Sequence, residues 1–266
     1  MGVEIVRSRA RVLGPHAVEA GARTLEARFL LLCTESRPAV PDVPGLSEAG
    51  FLTSETVWSL ERPPRSLIVI GGGPVGAELA QAYARLGVRV KLVERLNRLL
   101  PREEPELSAL LAARLRAEGV DVRLGVEPAR VSVENGGKIV HVQGGRHEGE
   151  ELSVAVGRAP NVEELGLEEV GVRVSPRGIE VDAGMRTSAR SIYAAGDVVG
   201  RFWFTHAAAW EASVAVRNMF FPGRQAAGDL VPWCTFTDPE LAHVGPTAAR
   251  PSGGSAPERC ARGGST

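Results

Sequence analysis

Apolar positions change their spacing along the chain, and each change marks a part. From residue 3 to 33 short apolar runs (VEIV, RVLG, HAVEA, RFLLLC) alternate with polar turns, which predicts a small antiparallel meander leading into a buried strand. PAVPDVPGL, residues 38–46, is too rich in proline for a helix or an inner strand and reads as a connector. From Ser66 strands and helices alternate: SLIVIG is an apolar strand, Pro74 to Leu86 a helix, VRVKLVE a second strand and Glu106 to Glu118 a second helix. In that second helix Leu107, Leu110, Leu111 and Leu115 recur at helical spacing and predict one apolar stripe against a sheet, with Pro105 at the start and Gly119 just past the end. Strand-like pieces follow at VDVRLG, ARVSVE, KIVHVQ and ELSVAVG, then SIYAAGD as another buried strand and His206 to Phe221 as a helix. Such alternation predicts an α/β fold, a mainly parallel sheet with helices on its faces. Beyond about Gly245 the periodicity stops, and PTAARPSGGSAPERCARGGST cannot bury a core; a disordered tail or out-of-frame translation is expected there.

Composition narrows the classes. The 266 residues are 44% hydrophobic, enough for one large core or two modest ones. The 31 basic and 32 acidic residues leave a net charge of -1, which favours neither nucleic acid nor an anionic membrane surface and leaves small molecules as the expected partners. No run reaches the roughly 20 apolar residues of a membrane span. The charged start MGVEIVRSRARVLG does not suit a signal peptide, so the cytoplasm is the expected address. Val6 stands where an N-myristoylation signal needs Ser or Thr. Cys33, Cys234 and Cys260 form no close pair, which argues against a disulfide framework or a local metal site and predicts buried or incidental thiols. His141 and His147 flank Gly144-Gly145 and read as a solvated hairpin; no metal site is expected.

The most specific chemistry lies at VIGGGPVGAELA, residues 69–80. Gly71, Gly73 and Gly76 fit G-x-G-x-x-G after a strand and at the opening of a helix. The first glycine permits the tight turn, the second lets backbone approach a phosphate, and the third lets helix and strand pack closely. A pyrophosphate there meets unpaired N–H groups at the positive end of the helix dipole. Glu94 ends the second strand 18 residues after Gly76, where a carboxylate can accept hydrogen bonds from the adenosine ribose. Strand, turn, helix, strand and acid in this order point to a dinucleotide, with a purely structural glycine turn as the plain alternative. The Glu94 carboxylate favours NAD; Arg95 and Arg98 keep NADP open.

Three further stretches follow in order: AVGRAPN (155–161), TSARSIYAAGDV (187–198) and PWCTFTDPELAHVG (232–245). With the glycine turn, they make residues 5–245 resemble the FAD-dependent pyridine nucleotide-disulfide oxidoreductases, nearest to mercuric reductase-like and dihydrolipoamide dehydrogenase-like members. The resemblance implies a Rossmann-like, doubly wound NAD domain inserted in an incomplete FAD-binding domain, with the start of an α+β dimerisation domain. The implied division is 1–64 for the first part of the FAD-binding domain, 65–157 for the NAD(P)-binding domain, 158–228 for the return to the FAD-binding domain, 229–245 for the start of the dimerisation domain and 246–266 for the tail. It implies that Gly71, Gly72, Gly73, Pro74, Val75, Gly76, Ala77, Glu78 and Glu94 bind the nicotinamide dinucleotide, with Glu78 near the nicotinamide end and Gly157 lining the same site. It also implies that Gly196-Asp197 meets the ribityl chain of FAD and that Thr205, His206 and Ala207 face the flavin ring; an ordinary turn and a simple helix start are the plain alternatives.

The family passes a hydride from NAD(P)H to flavin and on to a cysteine pair that acts on a disulfide or mercuric ion, with a histidine base from a C-terminal domain. The cysteine pair and that histidine have no counterpart here, so no catalytic residue is assigned. The chain is expected to be truncated at both ends. Glu35 stands where the family reads a glycine behind the flavin cofactor, and RFLLLC and SIYAAG are expected to expose apolar faces. A homodimer is the family's expectation, weakened by the shortened interface. An inactive nicotinamide-binding remnant is the competing reading.

Overall fold

The computed structural model describes residues 2–247. Most of the predicted tail, with Cys260, lies outside the described residues. The chain divides into two compact units: Met1–Arg37 with Arg158–Val231, and Pro38–Gly157 with the chain from Pro232.

The second unit is built on a four-stranded parallel sheet ordered Glu151–Val154, Ser66–Ile70, Arg89–Glu94, Asp121–Leu124. Parallel neighbours need a crossover, and helices Pro74–Arg85 and Pro105–Ala117 supply the two between the last three strands. After Ser66 the strand SLIVI is continuously apolar and buried because both of its faces are covered. Leu67 and Val69 share a core with Ala77, Ala80, Leu111 and Leu115 of the helices. Ile68 and Ile70 share the other with Val131 and Val140 of an antiparallel three-stranded sheet, Pro128–Glu134, Gly137–Val142 and Gly145–Gly149. Both helices start on proline at N1. They stop at Gly87 and Gly119, whose φ values of 84° and 90° only glycine adopts easily. A hairpin of Trp233–Thr235 and Leu241–His243 completes the unit.

In the first unit Ala10–Gly14, Ala17–Ala20 and Arg23–Glu26 form the antiparallel meander. Leu30–Leu32 pairs in parallel with Ile192–Ala194, and Ser36–Pro38, where the chain leaves this unit, pairs with Arg158–Pro160, where it returns. The helix Thr205–Phe220 contributes Val214, Ala215 and Met219 to the core that holds Leu30, Leu32 and Ile192.

Several expectations need correction. VEIV forms no strand, since Val3 and Ile5 are exposed and the first strand begins at Ala10. The buried stripe of Pro105–Ala117 is Ser108, Leu111, Ala112 and Leu115, while Leu107 and Leu110 are exposed. At 100° per residue they fall outside the arc that a flat sheet covers. The apolar residues of RFLLLC and SIYAAG are mostly covered: Leu30, Leu32, Ile192, Tyr193 and Ala194 are buried because the two strands pair with each other and the unit's own helix packs on them. Cys33, just past its strand, is exposed, which leaves for it the incidental of the two alternatives.

Candidate functional site

The parallel sheet ends its strands at one edge, and the first candidate site is the chain that leaves that edge. Gly71 turns at φ 111°, and a Cβ there would strike the carbonyl of Ala155. A Cβ on Gly76 would strike the carbonyl of Gly71, so this glycine lets the helix sit against the strand end. Gly73 differs: a Cβ there meets nothing within 4 Å, and no side chain caps the helix that follows. The space beside Gly73 and the first-turn amides of Pro74–Arg85 thus form an open, positively polarised cradle that suits a phosphate. Pro74 and Val75 lie exposed on it, and Gly72, Gly76 and Ala77 are buried beneath.

Glu94 lies under the same turn, 8% exposed. Its carboxylate accepts the N–H of Gly72 at 2.6 Å and that of Leu96 at 2.7 Å. A Cβ on Gly72 would approach Leu99 Cδ2 to 2.6 Å, so the second residue of GGG must also be small. Leu100 N–H returns to the Gly72 carbonyl at 2.9 Å and closes the loop after Glu94 over the turn. Arg98 is tied to the Pro101 carbonyl at 2.6 Å, whereas Arg95 is exposed.

Glu78 is half-buried one turn along the helix and accepts the N–H of Phe236 at 2.8 Å. Burial pushes its carboxyl above the ordinary range, and the Phe236 hydrogen bond opposes that. Gln81, three residues on, bonds both the N–H and the carbonyl of Asp238 at 2.8 Å. Gly157, at φ 138°, follows the strand that pairs with the glycine-turn strand and lies at the same sheet edge.

The second candidate site belongs to the other unit. Ile192–Ala194 runs into Gly196, at φ 79°, and Asp197 opens a short 3-10 turn. Asp197 Oδ2 accepts the Ser36 hydroxyl at 2.5 Å and lies 3.4 Å from Arg158 Nε. Arg158 also donates to the Ser36 hydroxyl at 2.5 Å and the Ser36 carbonyl at 2.8 Å. The helix begins at Thr205 without a side-chain cap; Thr205 and His206 are exposed, Ala207 is buried, and His206 stacks on Phe204 with centroids 5.6 Å apart. Glu35 adopts φ 62°, the left-handed region that favours glycine.

Ser36, Arg158 and Glu211 were not singled out by the sequence patterns, yet they surround Asp197 or its preceding glycine. Glu211 left one visible signal. It falls on the stripe of Ala207, Val214 and Ala215 and is a charge where the helix is otherwise apolar.

Among the described residues no group of histidine, cysteine and acidic side chains could hold a metal ion, and no helix is long and apolar enough to cross a membrane.

Residues 1–212 match a family model described as pyridine nucleotide-disulphide oxidoreductase. The mercuric reductase of Bacillus cereus is 35% identical over 252 residues, which cover 92% of this chain and 40% of that protein. The dihydrolipoyl dehydrogenase of Thermus scotoductus is 39% identical over 262 residues, covering 92% of this chain and 54% of that protein. Among solved structures, the Cu(II) complex of the HOCl-induced flavoprotein disulfide reductase RclA from Escherichia coli superposes with a TM-score of 0.87 at 27% identity, over 92% of this chain and 58% of that one. The chain spans about half the length of the curated relatives it matches.

Proposed function

Because the chain belongs to the pyridine nucleotide-disulphide oxidoreductase family, whose members use FAD and NAD(P)H, we propose that it carries the nicotinamide site and part of the flavin site of an enzyme that reduces a disulfide or mercuric ion. The observation that carries this reading is the cradle at Gly71–Gly76 with Glu94 locked beneath it. Its residues fit a nicotinamide dinucleotide. The space a Cβ on Gly73 would fill is open, the first-turn amides lack a side-chain cap, and a buried carboxylate stands at the end of the neighbouring strand.

For FAD the fit is to the ribityl and ring portions. Asp197 is a half-buried carboxylate held in one orientation, and the uncapped start of Thr205–Phe220 presents amide dipoles to a negative charge. The flavin, when bound, supplies a relay for two electrons between the nicotinamide and the acceptor. The chain's own part is to bind and orient. Backbone amides of the glycine turn take the pyrophosphate, and Glu94 takes the adenosine ribose. Glu78 and Gly157 border the nicotinamide end; Asp197 takes ribityl hydroxyls, and Thr205, His206 and Ala207 face the ring. No residue of this chain is assigned to the acceptor's chemistry.

NAD is the favoured dinucleotide. Glu94 is nearly enclosed and doubly bonded to backbone amides, and a carboxylate at this strand end would repel a 2'-phosphate. The acceptor is a small molecule, the working form a homodimer and the address the cytoplasm; a sedimentation mass of twice 28.2 kDa is the result that supports the assembly. An inactive remnant draws no support from the relatives, which carry the names of enzymes.

The test is the visible spectrum of the 266-residue chain refolded with FAD and desalted. A flavin band that bleaches on addition of NADH is expected. A colourless protein that still binds NADH would remove the flavin half of the reading, and one that binds neither would remove both.

A further inference from the structure

The Glu211 side chain is 3% exposed, inside the apolar stripe of its helix. Burying a carboxylate carries a large desolvation penalty unless hydrogen bonds or an opposite charge offset it. Its Oε2 accepts the N–H of Gly196 at 2.9 Å. Its Oε1 is buried with no hydrogen-bond partner among the described residues, and the nearest cation is Arg201 Nη1 at 3.7 Å. Alanine would suit this stripe without that penalty, since Ala207 and Ala215 already occupy it. What the acid adds is the bond to Gly196.

That bond falls at a sensitive point. Gly196 turns at φ 79° and ψ -154°, and a Cβ there would come within 3.1 Å of Ala208 Cβ, so the turn lies close against the helix. The next residue is Asp197, whose carboxylate is already fixed by Ser36 and Arg158. The backbone before Asp197 and the carboxylate of Asp197 are therefore each held by a separate partner.

We propose that Glu211 is a positioning residue that fixes the Gly196–Asp197 turn from inside the helix, and so sets the direction in which Asp197 presents its carboxylate to the flavin. The proposal rests on the flavin reading of Asp197 given above. The other groups whose charge acts on Glu211 are Arg201 and Asp197, and its own charge acts on the Cys33 thiol.

Two readouts on the full chain separate the proposal from the flavin reading. The first needs no cofactor: amide hydrogen exchange and the amide proton shift of Gly196. In the wild-type chain the Gly196 amide should be protected, and its shift should follow a carboxyl titration that is absent in Glu211→Gln. In Glu211→Ala, loss of a hydrogen bond to a charged group should speed exchange at Gly196–Val199 by about tenfold or more, with residues 205–220 unchanged. The second readout is the FAD dissociation constant. Glu211→Ala should weaken it about tenfold, and Glu211→Gln, whose amide oxygen still accepts from Gly196, should stay within about threefold of wild type.

Unchanged Gly196 exchange in Glu211→Ala, or faster exchange spread evenly along the helix, overturns the proposal. If Glu211→Ala does not fold, the wild-type shift titration and its loss in Glu211→Gln decide the question. A wild-type chain that retains no FAD removes the flavin reading alone, because Gly196 exchange still reports whether Glu211 holds the turn.

Discussion

The molecule contains two glycine turns that each lead from a buried parallel strand toward a helix without a side-chain cap, and in each a buried glutamate accepts a glycine amide, but the remaining supports differ. At Gly71–Gly76 the parts lie close in sequence: strand, turn, helix, strand and Glu94 fall within residues 66–94, and the acid reaches back to Gly72. At Gly196–Asp197 the supports of the carboxylate come from distant segments, while that of the amide lies 15 residues on. Ser36 and Arg158 hold the carboxylate, and Glu211 holds the amide. The first turn depends on close approach, because a Cβ at Gly71 or Gly76 would strike backbone, and the Glu94 carboxylate holds it through the Gly72 amide. The second is kept by hydrogen bonds to charged groups. One lesson is that a local motif can carry both its close approach and its polar partner within one strand–helix–strand passage, whereas the second turn draws the partners of its carboxylate from far along the chain.

The largest effect should come from adding one carbon to the first turn. Gly76→Ala puts a methyl against the carbonyl of Gly71, and relief requires moving helix from strand at a cost of about 2–3 kcal/mol. Urea unfolding should show that loss, and NADH titration should show binding weakened more than tenfold. Gly73→Ala sharpens the contrast. Its Cβ is unobstructed and its φ is -74°, so stability should hold while NADH binding falls, because the methyl occupies the phosphate's space. If both variants bind NADH normally, the cradle is not the dinucleotide site.

Glu94→Gln should come next. It preserves size but removes the charge that two backbone amides and a ribose would share, and it leaves a buried amide group that must find an acceptor. NADH affinity should fall about tenfold, with a smaller change for NADPH, and calorimetry with both cofactors measures the ratio. An equal loss for the two would remove the argument for NAD preference.

The second turn should be the more sensitive to pH. Burial raises the carboxyl of Glu211 above its ordinary value of 4.5. The folded state then holds that proton more tightly than the unfolded chain does, so stability falls as pH rises from about 4.5 through the raised value, and Glu211→Gln abolishes this contribution. Glu78 is shifted in the same direction, so the informative quantity is the difference in urea midpoint between wild type and Glu211→Gln as a function of pH. A difference that stays flat as pH rises above 4.5 would show that Glu211 does not titrate with folding.

Glu35→Gly should give the smallest change. At φ 62° glycine removes left-handed strain of roughly 1 kcal/mol, partly offset by the extra freedom of the unfolded chain. A slightly higher melting temperature is expected, together with FAD retention no worse than wild type. A clear loss of stability would mean that the Glu35 side chain contributes more than its backbone strain removes.

The elements of the parallel sheet were legible because local rules write them. Continuous apolar strands mark burial on both faces, proline marks helix starts, and glycines at positive φ mark helix ends. The glycine turn and Glu94 were legible for the same reason, all within one strand–helix–strand passage. Where prediction missed, the deciding partner was distant. The leucine count of Pro105–Ala117 did not say which arc of the helix meets the sheet, and Leu107 and Leu110 proved to be outside it. RFLLLC did not reveal that its strand would pair with Ile192–Ala194, some 160 residues on.

The sequence by itself determined the α/β class, the glycine turn between strand and helix, and the family, since each is carried by residue types at short, fixed spacings. Only the tertiary structure decided how the second turn is held. Whether Ser36 and Arg158 meet Asp197 depends on segments brought together from far along the chain, and whether Glu211 faces Gly196 depends on how its helix packs on the strand. Nothing local to Ser36 or Arg158 dictates a partner across that distance; burial of the surrounding apolar side chains brings them together.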